Sequence, residues 1–176
     1  MGPPGHLAIA FVAKTTAPKA PLWILLVATE VLDLLSYGFH AIGIEDFGVS
    51  HTDLNQGVTV LSPASIPWSH GLFMSAVWSL VAAAIAFLIY RERRASSSIG
   101  LVVFSHWVLD FIVHPPELPL LFSGSPTVGL GLWTSGPGLI VSGILEFGLL
   151  AGGIAIYIVT RKRKAMQARG ERSSSG

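Results

Sequence analysis

The sequence contains no cysteine. That absence excludes a disulfide framework, a thiolate zinc site, an iron–sulfur cluster and a c-type haem attachment. Any metal bound here must be held by His, Asp or Glu, ligands that suit zinc, manganese, iron or nickel. Charge is also scarce. Only 12% of residues are charged while 51% are hydrophobic, and the mean hydropathy is +0.63. Soluble domains average roughly 25% charged residues, so a chain of 176 residues with this composition cannot cover a water-facing surface. The expected solvent is lipid.

Long apolar runs are present instead. A hydrocarbon core of about 30 Å needs roughly 20 apolar residues of helix. Residues 22–44, 66–90, 98–113 and 138–160 qualify, the third run being stopped by Pro115 and Pro116. Proline lacks an amide donor and clashes with the preceding turn. The run 7–13 is too brief to span and reads as a re-entrant or interfacial helix. The fold class expected is therefore an all-α membrane protein of about four transmembrane helices plus a short N-terminal helix. One domain over 1–164 accounts for them, with a basic, disordered tail over 165–176. Residues 1–20 do not read as a signal peptide, since no basic residue precedes the short apolar run.

Basic residues predict the orientation. Threading four spans puts all 11 Lys and Arg on one side: Lys14 and Lys19, Arg91 to Arg94, and the cluster from Arg161 to Arg172. The positive-inside rule makes that side cytoplasmic. Glu45, Asp46, Asp53 and Glu117 fall on the other side without a basic residue. Both termini are then inside, in a cytoplasmic (inner) membrane, with the basic tail against anionic headgroups. Basic runs beside a span serve topology rather than nucleic-acid binding.

Several ionisable residues lie where a membrane should exclude them. Each costs about 2.5–3.5 kcal/mol near a helix centre on translocon scales. Glu30, Asp33 and His40 lie in the first run, and His70 opens the second. His106, Asp110 and His114 lie in the third, and Glu146 in the fourth. At 100° per residue, His106, Asp110 and His114 make one stripe about 80° wide. From the cytoplasmic end, most of these groups sit at a depth of roughly 18–25 Å, so four helices can converge on one pocket in the outer half. His6 joins it if its short helix re-enters from inside. Three such groups on one face, with no basic partner in any span, need a cation or a water-filled cavity. Glu30 and Glu146 read as interhelical hydrogen bonds, and His51 and Asp53 as solvated loop residues.

The order of these residues resembles a known family. Gly5-His6-Leu7 opens a short apolar segment, and Glu30-Val31-Leu32-Asp33 forms an acidic turn. Trp68-Ser69-His70-Gly71 follows, then Ser105-His106-x3-Asp110-x3-His114-Pro115-Pro116 leading to Leu120-Leu121. The pattern, over roughly residues 5–122, resembles the YdjM-like family of inner-membrane metal-dependent hydrolases. In that family an early Gly-His-Leu precedes an Asp-x-Asp-His turn, a His-Arg-Gly stretch and a Ser-His-x3-Asp segment. This chain has Leu32-Asp33-Leu34-Leu35 in place of the Asp-x-Asp-His turn and lacks the first His and Arg of the next motif. The resemblance implies that His6, Asp33, His70, His106 and Asp110 are ligands or catalytic groups.

The expected activity is metal-dependent hydrolysis of a lipid or lipid-linked substrate. His70, His106 and His114, with Asp110 or Asp33, would hold zinc or a similar divalent ion, and Asp33 or Glu117 would act as general base. The competing expectation is a small membrane subunit of a homo- or hetero-oligomer that binds haem or pigment through intramembrane His. Gly148-x3-Gly152 would give such a subunit a close-packing face.

Overall fold

The computed structural model describes residues 1–48, 50–53, 58–61 and 65–174, with the side chains of 50–53, 58–61 and 172–174 outside the description. Six α-helices carry most of the chain: α1 Pro3–Thr16, α2 Leu22–Thr29, α3 Val31–Ala41, α4 Leu72–Tyr90, α5 Arg93–Val113 and α6 Gly136–Ser174. Two short antiparallel hairpins interrupt them. β1 (Ser50–Asp53) pairs with β2 (Val58–Leu61), and β3 (Leu118–Pro119) with β4 (Thr127–Val128). His51 and Asp53 fall on β1, and their side chains lie outside the described residues.

Helices α4, α5 and α6 are each long and apolar enough to cross a membrane. The expected first span is not one straight helix. It is the pair α2 and α3, bent by 51° at Glu30. There the Glu30 amide bonds to the Val27 carbonyl at 3.0 Å, a tighter turn than an α-helix makes, before Leu34 resumes helical bonding to Glu30. Glu30 itself sits at φ −106° and ψ 5°, outside the helical basin. The pair counts as a fourth span only if the two halves act together.

Element α4 begins at Leu72, later than the apolar run beginning near residue 66 suggests. Residues 66–71 form a turn instead, because the Glu45 carboxylate accepts the amides of Trp68 and Ser69, both at 2.8 Å. Two residues join α4 to α5: Arg91 takes a left-handed conformation at φ 53°, and the Glu92 carboxylate caps α5 through the amides of Arg94 and Ala95. The two helices then pack antiparallel at close range. A Cβ on Gly100 would lie 2.8 Å from the Ser79 carbonyl and 2.9 Å from the Ala83 methyl, so only glycine allows this approach. Helix α5 ends at Val113, before Pro115 and Pro116, as the proline stop predicts.

α1 is longer than the apolar run that announced it. Its 14 residues lie inside the bundle against α6, α2 and α5, with Gly5, His6, Ala8 and Ala10 buried. The close approach to α6 occurs at Gly153, where a Cβ would meet the Ala8 carbonyl at 2.6 Å. By contrast, a Cβ at Gly148 or Gly152 would meet nothing within 4 Å. α6 itself does not stop with its apolar stretch but runs on through the basic residues to Ser174.

Candidate metal centre

Helix α5 is the spine of the site. It is the most buried helix, and its His106 and Asp110, one turn apart, are 1% and 2% exposed. The bend at Glu30 brings Asp33 of α3 toward them, and the turn before α4 brings His70. Four side-chain atoms converge: His70 Nε2, His106 Nε2, Asp33 Oδ1 and Asp110 Oδ2. The two imidazole nitrogens are 3.3 Å apart. His70 lies 3.2 Å from Asp33 and 3.5 Å from Asp110. His106 lies 3.4 Å from Asp33 and 3.2 Å from Asp110. A tetrahedral ion with ligands at 2.0–2.1 Å separates those ligands from one another by about 3.3–3.4 Å. The separations within His70, His106 and Asp33, and within His70, His106 and Asp110, each come close to that figure.

The hydrogen bonds behind the rings fix which nitrogen faces inward. His106 Nδ1–H donates to the Thr29 carbonyl at 2.6 Å. In an unbroken helix that carbonyl would accept the amide of Asp33; at the bend it faces α5 instead. Behind His70 stands a relay. The Ser69 hydroxyl donates to Glu45 Oε2 at 2.7 Å, so its oxygen accepts from His70 Nδ1–H at 2.8 Å. With Nδ1–H taken up by these partners, each ring in its neutral form turns its Nε2 lone pair to the same point. Two lone pairs at 3.3 Å beside two carboxylates would repel one another without a proton or a cation between them, and no Lys or Arg side chain enters the cluster among the described residues. Two sets of groups here could hold a metal ion: Asp33 with His70 and His106, and Asp110 with His6 and His106. A backbone carbonyl or carboxylate behind each ligating imidazole is the usual support at such centres.

Asp110 has a second face. Its Oδ1 accepts from the Met1 ammonium and lies 3.3 Å from His6 Nε2. The His6 ring stacks on His106 at a centroid distance of 3.8 Å and an interplanar angle of 4°. His114 Nε2 is 3.9 Å from Oδ1, and its Nδ1–H donates to Glu117 Oε1 at 2.8 Å.

Among the residues singled out from the sequence, then, Asp33, His70, His106 and Asp110 cluster together, with His6 stacked on His106 beside Asp110 and His114 beyond Asp110 Oδ1. Glu117 stands behind His114 rather than in the cluster. The remaining intramembrane candidates go elsewhere. His40 is exposed, donates from Nδ1 to the Glu45 carbonyl at 3.1 Å and stacks on Phe47. Glu146 accepts the Gly2 amide at 2.9 Å and the Ser142 hydroxyl at 3.3 Å, an interhelical role.

Sequence reasoning missed the support. Glu45, 4% exposed, looks like an ordinary acidic loop residue, and it meets Ser69 across a separation of 24 residues that no helical period connects. The Thr29 carbonyl carries no side-chain signal at all. Only the neighbouring pair Ser69-His70 was open to notice.

No protein-family model, curated protein or solved structure matches the chain.

Proposed function

We propose that this protein is an integral membrane, metal-dependent hydrolase acting on a lipid or lipid-linked substrate. The observation that carries the reading is the trio His70, His106 and Asp110, whose ligand atoms lie 3.2–3.5 Å apart as three ligands of one tetrahedral ion, with the fourth position open toward Asp33. A divalent ion there, zinc by the chemistry of the donor set, supplies Lewis acidity and lowers the pKa of a bound water toward about 7.

The chain's own groups divide the work by exposure. The side chains of His70, His106 and Asp110 are 6% exposed or less, and hold their geometry by burial. Asp33 is 35% exposed and marks the open side of the site. It is positioned to accept the proton of the attacking water as general base. Substrate enters past Asp33, and the depth of the site among apolar helices favours a substrate that partitions into lipid. The rival reading, a haem or pigment subunit, draws less support. Here the two Nε2 atoms share their focus with two carboxylates, whereas axial ligands face each other across a macrocycle.

The reading also assigns a membrane and an orientation. The one-sided basic residues favour a cytoplasmic (inner) membrane with both termini inside.

Elemental analysis of the detergent-purified protein tests the centre. Wild type is expected to hold stoichiometric metal and to lose it with His106→Ala or Asp110→Ala. Protein without metal, or variants with unchanged metal content, would end this reading. A Soret-type absorbance band in the wild type would favour the haem subunit.

A further inference from the structure

We propose that the cavity between the C-terminal end of α1 and the middle of α6 binds the phosphate group of an anionic phospholipid. Lys14, Arg161 and Lys164 line it, together with Thr15, Tyr157 and Thr160, around a volume of about 370 Å³. The site is separate from the metal centre. Lys14 lies eight residues beyond His6 on α1, about 12 Å further along the helix. The proposal rests on the membrane reading above and not on the metal.

The lining holds three cations and no carboxylate. Like charges gathered at a concave surface focus the field and concentrate anions there. Each cation also keeps protons to donate. The Lys14 ammonium donates to the carbonyls of Pro18 and Ala20 at 2.8 and 2.7 Å. Those bonds use two of its three protons and leave its full charge. They also hold it still, because Ala17 and Ala20 of the same turn are 1% and 0% exposed. Lys164 donates once, to the Thr15 carbonyl at 3.3 Å, which ties α6 to the end of α1 and leaves two protons. Arg161 makes no hydrogen bond or ion pair among the described residues. Its planar fork of donors suits a phosphate.

Position argues for a lipid as the source of that phosphate. The apolar stretch of α6 ends at Thr160, and Arg161 follows directly. One turn earlier, Tyr157 packs against Phe11 of α1 with ring centroids 5.9 Å apart. Around α6 at that level Ile156, Ile158 and Val159 are 43–49% exposed. Cations directly above an apolar collar with a Tyr in it lie at the level of the headgroups, where Tyr concentrates. Basic pockets between helices on the cytoplasmic side take up anionic headgroups. A free phosphate ion would meet the same donors without using the collar, and a zwitterionic headgroup would add a fourth cation to three.

Native mass spectrometry of the full-length protein in detergent, titrated with phosphatidylglycerol, tests the site. Wild type is expected to bind phosphatidylglycerol in preference to phosphatidylcholine. The double variant Arg161→Gln, Lys164→Gln is expected to lose affinity about thirtyfold, since each basic residue near an anionic lipid contributes about fivefold. The control pair Lys162→Gln, Arg163→Gln removes the same charge from the same turns of α6, outside the cavity, and is expected to bind like the wild type. All four residues are exposed, so neither pair threatens the fold. Equal losses in the two pairs, or equal retention of phosphatidylcholine, overturn the proposal. Inorganic phosphate that binds the cavity as tightly as the lipid also overturns it, and marks a site for the free ion. Any of these results leaves the metal centre standing, whereas protein that stays monodisperse without detergent overturns this site and the membrane reading together.

Discussion

At the scale of the residue, the proposed centre depends on groups that would never touch the ion. The Ser69 hydroxyl passes a hydrogen bond from His70 to Glu45 and so decides which nitrogen of His70 faces inward. Ser69→Ala leaves His70 Nδ1–H without its acceptor in a site that is 0% exposed at that serine. The ring can then hold its proton on either nitrogen. Loss of such support typically costs 10–100-fold in metal affinity. A competition titration against a zinc chelator is expected to show a loss of that size in Ser69→Ala, with helical content unchanged by circular dichroism. Unchanged affinity would mean that Ser69 is merely packed there. Position His70 in sequence is easy to single out, as a histidine entering an apolar run. Its partner Glu45 is not, because the two meet through a loop and a turn that no periodicity relates.

At the scale of the element, close packing within the chain depends on a few glycines, and the conspicuous pair is not among them. Gly148-x3-Gly152 has the spacing of a helix-packing motif, yet a Cβ at either position would touch nothing within 4 Å. The contact falls one residue further on, at Gly153, against the Ala8 carbonyl. Gly153→Ala must therefore push α1 away from α6, and overpacking of this kind costs about 1–3 kcal/mol. A lowered thermal midpoint in detergent is expected for Gly153→Ala, whereas Gly148→Ala should match the wild type. Equal midpoints would place the α1–α6 contact elsewhere. The same limit applies to the first apolar run. Hydropathy marks where it begins, but the bend at Glu30 arises because α5 offers His106 a use for the carbonyl of Thr29.

At the scale of the whole molecule, the surface is unlike that of a soluble domain. Large apolar side chains stand outward along the helices, among them Leu80, Leu88 and Ile89 of α4, Leu101 of α5, and Ile140, Ile144 and Phe147 of α6, each at least 65% exposed. In water such a surface would drive association; in lipid it is the matching face. Three of the basic residues, Lys14, Arg161 and Lys164, meet at a cavity of about 370 Å³ between α1 and α6. Because the chain has no native cysteine, single-cysteine variants report the orientation cleanly. In intact cells a membrane-impermeant maleimide is expected to label Ser125→Cys and to spare Ala165→Cys until the membrane is opened. The reverse pattern would invert the proposed orientation.

The apolar runs, the one-sided basic residues and the stripe His106-x3-Asp110-x3-His114 are properties of the chain itself. Composition and helical period act locally, so helices α4, α5 and α6, the proline stop and the candidates on α5 are readable without a structure. Which candidates meet is a different matter. His70, His106, Asp33 and Asp110 come together because a bend at Glu30, a turn pinned by Glu45 and a tight α4–α5 hairpin act on the same few ångströms. His40 and Glu146, equally conspicuous in the sequence, are turned to other partners by the same packing. Hydrogen bonds between distant backbone and side-chain groups made that selection, and no local pattern encodes them.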